Sequence, residues 1–123
     1  SGRRIVLTAD ASGHFLSPGT INGQQVVFMV DTGATLVSLG VGDASRIGLD
    51  YRSGEAIRMG TANGVTQGWR IRLGSLRVGD VELREVEAVV TPQSMPFVLL
   101  GNSFLGRFQM QRNNDQMTLE RRY

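Results

Sequence analysis

Five apolar residues in a row, Val26 to Val30, run directly into Asp31-Thr32-Gly33. A run of this length is strand-sized, and with no polar residue in it the strand is expected to be buried on both faces. It delivers a carboxylate into low-dielectric surroundings, where an unpartnered charge is costly. Gly33 permits a tight turn and the close approach of another backbone. Thr32 adds a hydroxyl donor. Asp and Gly are also ordinary turn residues, and a plain turn is the competing reading of the tripeptide.

The remainder of the chain is punctuated like a strand-and-turn protein, with sixteen glycines and little helical periodicity. Ile5 to Thr8 reads as a short strand. Phe15 to Ile21 reads as a second one, which Pro18 confines to an edge or a bulge. Asn22-Gly23 signals a hairpin into Val26–Val30, and Leu36 to Leu39 follows the Asp31 loop as a further apolar piece. Asp43 to Ile47 is expected to be a short helix with Asp43 as N-cap and Gly48 closing it. Ala56 to Thr61 and Val65 to Leu73 flank Asn63-Gly64, a second hairpin signal. Leu76 to Val78 and Val81 to Thr91 flank Gly79-Asp80. In the last strand Val81, Leu83, Val86, Ala88 and Val90 alternate with charged residues, with a slip of phase near Arg84. Phe97 to Leu100 is a short buried run ending at Gly101. Ser103 to Phe108 supplies one or two helical turns, and Gln109 to Arg112 and Met117 to Arg121 flank Asn113-Asn114-Asp115. One internal echo stands out: Phe28–Gly33 and Val98–Ser103 are both apolar strands running into a small-residue turn. With no linker or repeat in its 123 residues, the chain is expected to be a single domain over 1–123, mainly β with one or two short helices.

Composition removes several chemistries. All 13 cations are arginine and the net charge is +2. Without lysine there is no Schiff base and no phosphate-binding Walker lysine. The arginines are scattered, which suits a solvated basic surface rather than a nucleic-acid interface. The absence of cysteine excludes disulfides and thiolate metal sites. The single histidine, His14, cannot build a histidine-rich metal site and is expected at the surface or a strand end. Trp69 is expected to pack against the sheet, and the methionines to fill the core or a flap. No metal and no cofactor are called for. No apolar run approaches the ~20 residues of a bilayer span. The chain opens on Ser-Gly without an initiator methionine, as a processed chain would, so a targeting or anchoring segment is expected to have preceded it.

Asp31 lacks an obvious partner within the chain, because Asp-Thr-Gly occurs once. A two-fold homodimer would place Asp31 opposite its own copy. Two ionised carboxylates ~4 Å apart repel by ~4 kcal/mol at an effective dielectric of 20. Such a pair holds one proton between its members and titrates as a unit. One member can then act as a general base on water while the other acts as a general acid toward a peptide carbonyl.

Asp31-Thr32-Gly33-Ala34 after Val26–Val30, with Leu99-Leu100-Gly101 downstream, resembles the retropepsin-like aspartic proteases over roughly Gly13 to Leu119. Thr61-Ala62-Asn63-Gly64 and the Phe104-Leu105 that follows Leu-Leu-Gly bring it nearest the bacterial single-domain type, often membrane-tethered. The resemblance implies a closed, barrel-like sheet with one or two short helices, forming half of a two-fold dimeric protease. It implies that Asp31 is the catalytic acid, that the Thr32 hydroxyl braces two loops across the dimer axis, and that the Gly33 carbonyl meets the substrate backbone. The hairpin Met59 to Thr66, with Met59, Gly60, Thr61, Ala62, Asn63 and Gly64 at its tip, would be the flap over an extended peptide or protein substrate. The Leu-Leu-Gly strand would cross beneath the Asp31 loop. Membrane attachment would come only through a segment outside this chain, with the protease domain in the periplasm. Viral members carry an aspartate and an arginine where this chain has Thr35 and Asn102. Both halves of that ion pair are replaced together, so no charge is stranded. The terminal strands and the dimer geometry are therefore expected to differ from the viral ones. Beside an active homodimeric endopeptidase, two readings stay open: a catalytically weak or inactive peptide-binding or dimerisation module, and a purely structural β domain.

Overall fold

A computed structural model describes residues 2–122. It is mainly β, with ten strands and two short helices: β1 (Arg4–Thr8), β2 (Leu16–Ile21), β3 (Gln24–Val30), β4 (Val37–Gly40), α1 (Val41–Arg46), β5 (Glu55–Thr61), β6 (Gly64–Val78), β7 (Val81–Thr91), β8 (Val98–Leu100), α2 (Asn102–Leu105), β9 (Phe108–Asn113) and β10 (Gln116–Arg121). A single 3-10 turn lies at Tyr51–Ser53.

Seven strands form one sheet in the order β2-β3-β8-β4-β7-β6-β5, and β2 pairs again with β6. That second pairing joins Gly19 to Val78, Thr20 to Arg77 and Ile21 to Leu76. It closes six strands into a barrel and leaves β5 attached only to β6. Closure removes two sheet edges that would otherwise invite aggregation. The outer sheet, β1-β10-β9, is antiparallel. Ile5, Leu7, Met117 and Leu119 turn its inner face onto the same hydrophobic cluster that fills the barrel.

The hairpin signals hold, with local differences. Asn22 and Gly23 take φ of 51° and 81°, the paired left-handed values of a type I′ turn. In the β5–β6 hairpin Thr61 pairs with Gly64, so the turn residues are Ala62 and Asn63 and Gly64 opens β6. The two strands expected on either side of Gly74-Ser75 are one strand, β6, of 15 residues. Its ladder with β7 skips Gly74, opposite Glu85. Glu85 has φ of 56°, and this is where the phase of β7 slips. Asn22 fills the gap: its side-chain oxygen accepts from the Ser75 N–H at 3.0 Å, and its own N–H donates to the Ser75 carbonyl.

Three expectations are corrected. β3 is not buried on both faces: Val26 and Phe28 point into the barrel, while Val27 is 45% exposed. A strand in a barrel wall has one inner and one outer face, whatever its outer residues. Asp43 does not cap α1. The cap position is Gly40, with no side-chain bond, and Asp43 sits in the first turn paired with Arg46 at 3.0 Å. The later helix begins at Asn102 and ends at Leu105, earlier than Ser103 to Phe108, because β9 begins at Phe108.

Candidate active site

The echo between the two apolar strands is a physical pairing. Phe28, Met29 and Val30 lie parallel to Val98, Leu99 and Leu100, residue for residue. Where both strands end, β8 passes under the loop that β3 delivers. The Asp31 N–H donates to the Leu100 carbonyl at 3.1 Å. Gly101 then runs so close beneath the loop that a methyl group on it would overlap the Leu36 carbonyl oxygen and lie 2.7 Å from that of Ala34. Only glycine fits such an approach of backbone to backbone.

Beyond Gly101 the chain keeps hold of the loop. The Asn102 N–H donates to the Ala34 carbonyl at 2.9 Å, and the Ser103 N–H to the Thr35 carbonyl at 2.9 Å. The Asn102 carboxamide donates to the Thr32 carbonyl at 3.2 Å. The Ser103 hydroxyl accepts from the Val37 N–H at 2.9 Å and donates to the Glu87 carbonyl at 2.7 Å, tying α2 to β4 and β7. Within the loop, the Gly33 N–H donates to Asp31 Oδ1 at 3.0 Å and the Ala34 N–H to the Asp31 carbonyl at 3.1 Å. Among the described residues, the Gly33 carbonyl accepts no hydrogen bond and Asp31 has no ion-pair partner. Asp31 and Ala34 are half-buried, while Thr32 and Gly33 are exposed. The loop is thus fixed from below and open above.

Asp31, Thr32, Gly33 and Ala34 therefore sit together in one braced turn between β3 and β4. Met59, Gly60, Thr61, Ala62, Asn63 and Gly64 sit elsewhere, at the free end of the β5–β6 hairpin; the Thr61 side chain lies outside the described residues. Gly60, Ala62, Asn63 and Gly64 are exposed, Val65 is 64% exposed, and Met59 is half-buried. A groove of about 390 Å³ on the hairpin is lined by Ala56, Ile57, Arg58, Val65, Thr66 and Gln67. A groove of about 650 Å³ on the barrel's outer wall does not include Asp31, and its arginines are already engaged, Arg46 by Asp43 and Arg77 by Glu82. Trp69 packs edge-on against Tyr51, and His14 is exposed.

At the base of the hairpin, Arg70 pairs with Glu87 at 2.8 Å. The hydrogen bond from Arg70 holds the Glu87 carboxyl below the usual carboxylate range, and the same bond raises Arg70. Sequence reasoning took Asn102 only as the replacement of an arginine and gave Ser103 no role beyond starting a helix. Their partners lie 70 and 66 residues away, beyond any local pattern. The one sequence signal was their place in the small-residue turn that ends the echo, directly after Gly101.

The residues from 17 to 107, loop and crossing strand included, match the family described as gag-polyprotein putative aspartyl protease. An uncharacterized protein in the cobV 5' region of Sinorhizobium sp. is 32% identical over 95% of this chain and 52% of its own length. The uncharacterized protein RP867 of Rickettsia prowazekii is 33% identical over 85% of this chain and 46% of its own. The chain thus spans about half the length of the curated relatives it matches. Among solved structures, a retropepsin-like aspartic protease from Rickettsia conorii superimposes with a TM-score of 0.83 at 31% identity, covering 96% of this chain and 90% of that one. The EIAV protease complexed with the inhibitor HBY-793 shares the fold, with a TM-score of 0.65 at 17% identity over 81% of this chain and 92% of that one. The crossing of β8 beneath the Asp31 loop, the family match across it and the likeness to the Rickettsia structure agree: the chain has the retropepsin-like fold and belongs to the family of gag-polyprotein putative aspartyl proteases.

Proposed function

We propose that residues 1–123 form one aspartic endopeptidase domain, active as a homodimer in which each copy contributes Asp31. The observation that carries this is the half-buried Asp31 carboxylate, without an ion-pair partner among the described residues, on a turn locked from beneath and open above. A carboxylate placed in this way needs either a partner or a task. A second copy across a two-fold axis supplies both.

In the paired site one carboxylate takes a proton from water as the water oxygen attacks the scissile carbonyl carbon. The other carboxyl gives its proton to the carbonyl oxygen. Collapse of the resulting gem-diol breaks the C–N bond: the amine leaves with the proton held by the pair, and a gem-diol hydroxyl returns its proton to the other carboxylate as the acid C=O forms. The Gly33 carbonyl, without a donor among the described residues, receives a substrate N–H in this reading, and the Thr32 hydroxyl braces its counterpart. Met29 and Leu99, paired across β3–β8 and half-buried, offer apolar surface beside Asp31 for substrate side chains. Met59 to Gly64 act as the flap. A hairpin whose outer strand has one neighbour opens at low cost.

The test is cleavage of a diverse peptide mixture at mildly acidic pH, wild type beside Asp31→Asn, over a series of protein concentrations. The expected result is cleavage that depends on Asp31 and rises faster than linearly with concentration. Turnover retained by Asp31→Asn would overturn the catalytic assignment. A rate strictly proportional to protein down to the lowest concentrations would overturn the dimer.

A further inference from the structure

Asn102 is the first residue of α2 and is exposed. No side chain caps this helix. The Asn102 carboxamide instead turns back onto the Asp31 loop, where its Nδ2 donates to the Thr32 carbonyl at 3.2 Å. The Thr32 carbonyl and the Gly33 N–H are two ends of one planar peptide unit. That N–H donates to Asp31 Oδ1 at 3.0 Å. Asn102 thus begins a relay: carboxamide to Thr32 carbonyl, through the peptide plane, then Gly33 N–H to the Asp31 carboxylate. Hydrogen bonds in series polarise one another. The Asn102 backbone N–H meanwhile holds the Ala34 carbonyl at 2.9 Å. One residue therefore grips the carbonyls on both sides of Gly33. The chemistry at position 102 is constrained, because a carbonyl oxygen accepts and never donates, so only a donor can face it.

We infer that Asn102 is a positioning residue for peptide cleavage, which fixes the Thr32–Gly33 peptide plane and so sets the aim of the Asp31 carboxylate. This rests on the reading of Asp31 as catalytic. The N–H of this plane holds Asp31 Oδ1 at 3.0 Å, so the orientation of the plane fixes the direction of the carboxylate. Without the Asn102 donor, the bond to Asp31 is the one hydrogen bond among the described residues that holds the plane.

The decisive variants are Asn102→Ala, which deletes the donor, and Asn102→Asp, which keeps the size and removes the donor. A role in packing alone predicts that Asn102→Asp behaves as wild type. The relay predicts that kcat falls about tenfold in both, with KM changed less than about threefold, since misplacing a catalytic group costs rate more than binding. An Asn102→Asp variant that keeps the wild-type kcat would overturn the inference. A second measurement needs no turnover: amide hydrogen exchange at Gly33 should quicken about tenfold in Asn102→Asp while exchange at Phe28 in β3 stays unchanged. Unchanged Gly33 exchange would overturn the relay even if Asp31 proves catalytic. Quickened exchange in a protein with no Asp31-dependent cleavage would sustain the relay and sink the protease reading instead.

Discussion

Gly101 is the point at which the strand under the site comes closest to the loop above it. A methyl group there would overlap one carbonyl oxygen and crowd a second, and both belong to backbone that cannot rotate away like a side chain. Gly101→Ala should therefore lower stability by about 2 kcal/mol or more, as overpacking does, and should cut activity in whatever protein remains folded. Gly42, in α1, is the control, because a Cβ there meets nothing within 4 Å. Gly42→Ala should be neutral or slightly stabilising through helix propensity. Thermal melts of the two variants beside wild type decide it, and equal melting of Gly101→Ala and wild type would mean the crossing is looser than described. The residues by themselves make Gly101 legible only as the end of an apolar run; that the Asp31 loop lies above it is legible only through the family resemblance. The same holds for Asn102 and Ser103, whose contacts follow from tertiary closure. Asp43 fails in the opposite direction: its local cap signal is sound, but β4 runs into α1 without a gap, so Gly40 takes the cap and Asp43 falls into the first turn.

Between residues and fold, β6 carries two duties. From Gly64 to Arg70 it is the inner strand of the hairpin, and from Leu76 to Val78 it is the barrel's closing seam. The sequence shows the two parts as separate strands because Gly74-Ser75 reads as a turn, and only Asn22, reaching in from the β2–β3 turn, lets the strand run through. The echo of Phe28–Gly33 in Val98–Ser103 and the slip near Arg84 were legible because each leaves a mark on hydrophobic order. Where the hairpin joins the barrel, Arg70 and Glu87 link β6 to β7. The Arg70 hydrogen bond lowers the Glu87 carboxyl from its ordinary value. A group lowered in this way stabilises the fold above the unfolded carboxylate range, and that contribution is lost as pH falls through its folded value. Glu87→Gln should therefore melt below wild type at neutral pH. The gap should close as the pH falls below about 4, and should narrow with added salt, since both partners are partly exposed. A gap that stays constant across this pH range would show that Glu87 acts through packing rather than charge.

On the scale of the molecule, the central question is what a single copy can do alone. One hydrophobic cluster runs from the barrel, through Phe28, Leu39 and Leu100, to Leu119 in the outer sheet, and it is completed within the chain. β1 pairs with β10 of its own chain over Arg4 to Thr8, so that sheet is assembled without help from a second copy. The candidate site differs: it has one Asp-Thr-Gly, on a loop exposed at Thr32 and Gly33. The described residues close their core within one copy, and the proposed chemistry needs two. It follows that folding and activity should separate on dilution. As protein is diluted through the dimer dissociation constant, activity should fall with the square of concentration, while the far-UV circular dichroism stays that of a β protein. The thermal midpoint should fall only by the linkage that the dimer contributes. If loss of activity and loss of β signal instead coincide, the two copies depend on each other for folding, and the barrel's own core would be insufficient to hold it. If activity per molecule is constant at every dilution, one copy suffices, and the second carboxyl group must come from the chain that carries Asp31.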